Sequence, residues 1–235
     1  MWDQHLARNL VHNKWARVPN HPSVWWNASL RSLLIVYVDD LLLVSPKKHT
    51  AAIWTAIEAG IRFKDPAAPL ARYLGVHHDT SCVGTTTTLA VNMKEFLQSA
   101  VLKYCDEVGP TKLPAVASPY LDADAPMTPE DALPSRQAAT CASHLMKLLY
   151  AGRMCCPWLV TAITRLASHL TRWSQHHDRA LRRLMAFVAH HTHLVLQSTL
   201  SSDDFATCQL GFWPDADHAG DHSSTALPSP PLDFG

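Results

Sequence analysis

Residues 31–46, RSLLIVYVDDLLLVSP, constrain the fold more tightly than any other stretch of the chain. Two adjacent carboxylates, Asp39 and Asp40, separate the apolar runs Leu33–Val38 and Leu41–Val44. Both runs have the length and the β-branched and aliphatic content of strands, so the stretch reads as a hairpin with the acids at its tip. A side-chain period of 2 sets Leu33, Ile35, Tyr37 and Asp39 on one face, and Leu34, Val36, Val38 and Asp40 on the other. Neighbouring like charges repel, and an Asp pair aimed at one spot calls for a cation beside it. The plainer reading is turn chemistry, because Asp tolerates turn geometry and blunts sheet edges. The hairpin taken alone leaves both open.

A chain of 235 residues with 47% apolar content can fill one large core or two small ones. Its 20 basic and 20 acidic residues cancel. Neutrality argues against a nucleic-acid partner unless the charge is segregated. The six cysteines lack any Cys-x-x-Cys spacing, and Cys155 and Cys156 are neighbours. That pattern indicates reduced thiols in an intracellular setting, cytoplasmic or nuclear, and not a zinc site or disulfide framework. The polar opening Met1–His5 is no signal peptide, and no apolar run is long enough to span a membrane.

Along the chain, Trp2, Leu6, Leu10 (or Val11) and Trp15 have helical spacing within 1–18, and Val24–Trp26 reads as a short strand feeding the hairpin. Residues 49–61 predict a helix. A turn at 63–65 and a strand near Tyr73–Val76 follow, then a strand over 85–92 with Val83-Gly84 as its turn. Met93–Cys105 is a helix on the apolar spacing of Phe96, Leu97, Val101 and Tyr104. Residues 110–136 hold six of the 16 prolines with Asp122, Asp124, Glu130 and Asp131 interspersed, the composition of an extended linker. Helices are predicted over 138–151, 157–170 and about 175–189. The last carries Arg179, Arg182 and Arg183 on its polar side, near Arg172 and His176. That side is either a solvated face or one that contacts phosphates. His190, His191 and His193 read as surface histidines, since no carboxylate or cysteine stands at ligand spacing.

Tyr37-Val38-Asp39-Asp40 followed by Leu-Leu-Leu-Val resembles the Tyr-x-Asp-Asp box of reverse transcriptases, in the form carried by copia-type retrotransposon polymerases. Further strings resemble that family in order: Phe63-Lys64-Asp65, then Leu74-Gly75-Val76, then Met93-Lys94-Glu95-Phe96, and later Leu149-Tyr150, Thr164-Arg165-Leu166-Ala167 and Arg182-Arg183. Cys156 and Trp158 stand where the family has Arg and Asp. Near the end, Asp215-Ala216-Asp217-His218-Ala219-Gly220-Asp221 is similar to the opening of the family's ribonuclease H domain, with His for Trp.

The resemblance implies an α+β fold. A partial polymerase palm, an antiparallel sheet with packed helices, would occupy 1–109 and a Pro-rich linker 110–136. A helical thumb or connection would occupy 137–200 and the first strand of a ribonuclease H-like domain 201–225, with a disordered tail over 226–235. It implies nucleotidyl transfer by two magnesium ions about 4 Å apart. Asp39 would be the principal ligand, Asp40 a weaker or structural contributor, and Asp215 the first metal carboxylate of the ribonuclease H domain. The partners implied are an RNA template with a DNA primer, or the RNA–DNA hybrid, met by Tyr37, Arg172, Arg179, Arg182 and Arg183. The remainder of the retrotransposon polyprotein is a further implied partner. Only Asp3 precedes Asp39 among aspartates, so the upstream palm carboxylate and the fingers are missing. The expectation is therefore a truncated polymerase, inactive alone. The alternatives are a non-catalytic nucleic-acid-binding module that kept the basic helix face, and a pseudogene product.

Overall fold

The computed structural model describes residues 2–109, 112–121 and 128–207. Asp215 and the rest of the acidic string near the end lie outside the described residues. The described fold is mixed α+β: six α-helices and two four-stranded antiparallel sheets built around two separate cores.

The first unit opens with α1 (Trp2–His12), in which Leu6 and Leu10 stand one turn apart and are buried. The helix stops at Lys14, whose φ of +63° is the left-handed conformation of a helix terminus. There the Trp15 N–H donates to the Leu10 carbonyl and the Lys14 N–H to that of Val11, the paired bonds of a Schellman motif. Trp15 and Leu10 both enter the core, the apolar contact such a motif favours. A meander follows: β1 (Ala16–Val18), β2 (His21–Asn27), β3 (Ser32–Tyr37) and β4 (Asp40–Val44), neighbours in chain order. Buried Asn27 shapes the β2–β3 connection, accepting from the Ser29 hydroxyl and the Leu30 N–H while donating to the Asn13 carbonyl. After Pro46, α2 (Lys47–Glu58) lays Ile53 and Ile57 on the sheet, with Ile61 one turn further. Register aligns Trp25, Leu34 and Leu43 across three strands, and this row packs against the two helices.

The second unit begins with β5 (Arg72–Tyr73) and β6 (Val76–Val83), joined by the two-residue turn Leu74-Gly75. Both turn residues have positive φ, +49° and +79°, the twist a tight hairpin requires and a reason for glycine at 75. A second tight turn at Gly84-Thr85, one residue later than the sequence suggested, leads to β7 (Thr86–Asn92). Then come α3 (Lys94–Val108), α4 (Cys141–Met154), α5 (Val160–Ala167) and α6 (Gln175–His190). A 3-10 turn with Pro157 at its first position enters α5. The core joins Met93, Leu97 and Tyr104 to Leu145, Leu148, Ile163, Leu181 and Leu184. Helices on both sides of the Pro-rich segment therefore share one interior, and α3 packs directly on α4 and α6.

The chain then returns as β8 (Leu196–Ser201) to complete the sheet beside β7. The expected helical segment 137–200 thus ends in a strand, which no local pattern of the sequence marks. LQSTLS has no clean apolar alternation and is mostly exposed. What defines it is its partner, with Thr88 and Thr199 hydroxyls meeting at 3.3 Å across the ladder. Among the described residues no helix is long and apolar enough to cross a membrane.

Candidate functional site

The acid pair sits at the tip of the β3–β4 hairpin. Tyr37 and Asp40 are directly opposite in register, so Val38 and Asp39 form a two-residue turn. Val38 has φ +55°. A β-branched residue rarely adopts that conformation, which costs roughly 1–2 kcal/mol for an L-residue. The turn also corrects the expected faces. Strand alternation does not carry through a two-residue turn, so Asp40 shares a face with Tyr37 and Leu42, not with Leu34 and Val36. The core side is held by Leu34, Val36, Leu41 and Leu43. From α1, the Trp2 indole N–H donates to the Val38 carbonyl at 2.7 Å and fixes the turn from outside.

Asp39 and Asp40 open into a cleft of about 590 Å³. Trp2, Trp54 and Phe63 supply its apolar lining, and Arg62, Lys64, Asp65 and Arg72 bring charge to it. Trp54 and Phe63 meet edge to face at 5.8 Å, which braces the segment carrying Arg62 and Lys64. Tyr73 follows Arg72. Burial raises its phenol above the ordinary value, and the nearby charges of Asp40 and Tyr37 add to the effect. The Tyr73 hydroxyl is buried without a hydrogen-bond partner among the described residues.

Both aspartates are exposed, and among the described residues no Lys, Arg or His nitrogen lies within 4.0 Å of either carboxylate. Nor do three His, Cys, Asp or Glu side chains come together there as a metal cluster. Uncompensated adjacent carboxylates are suitable donors for one hard cation that takes its remaining ligands from phosphate and water. The guanidinium and ammonium groups in the same cleft suit those phosphates. Asp65 lines the same cleft, but among the described residues it does not join the pair as a three-carboxylate group.

The other expected nucleic-acid contacts are distributed differently. Tyr37 is exposed beside the turn, and Arg172 is exposed at the end of the 3-10 turn Leu170–Arg172. The three arginines of α6 are engaged with the Pro-rich segment. Arg179 donates to buried Asp131 at 2.7 Å, Arg182 to the Lys112 carbonyl at 3.3 Å, and Arg183 to the Ser118 carbonyl at 3.0 Å. Burial pushes Asp131 upward, yet the Thr128 N–H and hydroxyl, with Arg179, outweigh it and hold the carboxyl below its usual range. His190 Nε2 lies 3.0 Å from the Leu113 carbonyl, and His191 stacks on Phe187 at 4.1 Å. The neighbouring thiols of Cys155 and Cys156 are free and buried, 3.7 Å apart.

Sequence reasoning missed Trp2, Arg62 and Arg72 as neighbours of the acid pair. The one available signal was the Phe63-Lys64-Asp65 string, which marks the opposite wall of the cleft. In comparison with known proteins, the chain matches no family model, no curated protein and no solved structure.

Proposed function

We propose that this chain is a portion of a copia-type retrotransposon RNA-directed DNA polymerase, with β1–β4 and their helices as a partial palm. The observation that carries the reading is the tip of the β3–β4 hairpin. Asp39 and Asp40 stand there on a tight turn between apolar strands and open into a cleft shared with Arg62, Lys64 and Arg72. Asp39 and Asp40 would hold magnesium, which when bound neutralises phosphate charge at the reacting centre. Arg62, Lys64 and Arg72 would orient the phosphates, and Trp2 would hold the turn. Asp215 belongs to this reading as a ribonuclease H carboxylate on sequence resemblance alone.

A two-ion nucleotidyl transfer needs a further carboxylate beyond this pair. The chain by itself is therefore expected to bind nucleotide with magnesium and not to extend a primer. Primer extension with magnesium on a homopolymer template tests this. No template-dependent product is expected; product that disappears on Asp39→Ala would overturn the half-site reading.

A second reading, a non-catalytic module that binds an RNA–DNA hybrid, is favoured by the arginines gathered on α6, a local excess of positive charge in a neutral chain. Binding that weakens with salt and ignores Asp39→Ala would select it.

A further inference from the structure

Residues 112–121 and 128–136 lie along the basic side of α6, held by that helix's own cations. Arg182 and Arg183 donate to the backbone carbonyls of Lys112 and Ser118, and His190 Nε2 meets that of Leu113. Further along, Arg179 pairs with Asp131. The segment is also pinned at the N-terminal end of the helix, where Asp178 accepts from the Ser135 hydroxyl and the Arg136 N–H, and the Gln175 N–H donates to the Leu133 carbonyl.

The two kinds of contact differ in strength. Arg179 meets a carboxylate, whereas Arg182 and Arg183 meet neutral carbonyls and, among the described residues, no carboxylate within 4.0 Å. A phosphate oxygen makes a charge-assisted bond to arginine, roughly twice as strong as a neutral one, and a guanidinium binds it in bidentate fashion. The segment at 112–121 is thus the weaker of two claimants for the same side chains.

We propose that residues 112–121 are a built-in competitor for the basic face of α6, and that a nucleic-acid duplex engages Arg182 and Arg183 by displacing this segment. This rests on the nucleic-acid-binding reading above. Charge complementarity selects the partner, since adjacent arginines on one helical side match regularly spaced phosphates.

The experiment uses the full chain with an RNA–DNA hybrid. Trypsin cleavage after Lys112 and hydrogen exchange over 112–121 are followed as the hybrid is added at low salt. Both are expected to rise severalfold. Binding should fall with salt at a log–log slope of about −2 to −3 if two or three phosphates are met. Arg182→Ala with Arg183→Ala should weaken binding, and Asp131→Asn, with its circular dichroism unchanged, should tighten it.

If the hybrid binds while residues 112–121 become protected or stay as they were, the displacement idea is overturned and the nucleic-acid reading survives. Failure to bind at all overturns both. If polyglutamate opens the segment as well as the hybrid does, the assignment of nucleic acid as partner is overturned.

Discussion

Trp2 and Val38 are joined by a 2.7 Å hydrogen bond from indole N–H to carbonyl, which ties the start of the first helix to the turn that presents Asp39. Trp2→Phe keeps an aromatic ring and removes the donor. It is expected to lower stability by about 0.5–1.5 kcal/mol. Urea denaturation measures the loss, and faster hydrogen exchange at 37–40 would locate it. An unchanged midpoint would mean that the bond contributes nothing.

Val38 carries strain that the turn imposes and its side chain does not relieve, because it is 67% exposed at φ +55°. Asn adopts this conformation readily. Val38→Asn is therefore expected to stabilise the fold by about 1 kcal/mol, the lower end of the left-handed penalty. Thermal unfolding of the two proteins in one buffer checks it.

Leu34 and Leu148 are fully buried in different cores. Each substitution to Ala is expected to cost about 2–5 kcal/mol. Because the two cavities share no lining, the double variant should equal the sum of the single ones within about 0.5 kcal/mol. Only Leu34→Ala should speed hydrogen exchange in β3 and β4. Strong non-additivity would show that the cores are coupled.

His144 is buried between α3 and α4, 2.8 Å from Glu107. Burial holds its imidazole below the ordinary value of 6.5, against the opposing pull of Glu107. The unfolded chain therefore takes up a proton first as pH falls. Stability from this group is full above the ordinary value and declines as pH drops from there towards the folded-state value. His177 is lowered in the same direction, by burial first and then by His169, His176 and Arg172. His144→Gln is expected to flatten the fall of stability below neutral pH without abolishing it, as read by urea titrations across that range.

Much of the fold was legible because the chain's signals are local. Leu6 and Leu10 marked α1, and Ile53, Ile57 and Ile61 marked the helix after Pro46. The apolar runs flanking Asp39-Asp40 marked a hairpin because strands of that composition need a tight connection. What resisted reading depends on partners distant in sequence. β8 is polar and takes its identity from the threonines of β7. The face of Asp40 depends on turn length, which alternation does not encode. Arg179, Arg182 and Arg183 looked like a free basic stripe because nothing local reveals that Asp131 and the carbonyls of Lys112 and Ser118 reach them.

Under the proposed function, Asp39 and Asp40 together would hold a divalent cation against a nucleotide's phosphates. Manganese in place of magnesium makes this directly measurable by electron paramagnetic resonance. Titration of the ion with a deoxynucleoside triphosphate present is expected to reveal one bound ion per chain, lost on Asp39→Asn and weakened on Arg72→Ala. Ion occupancy unchanged by Asp39→Asn would contradict the account.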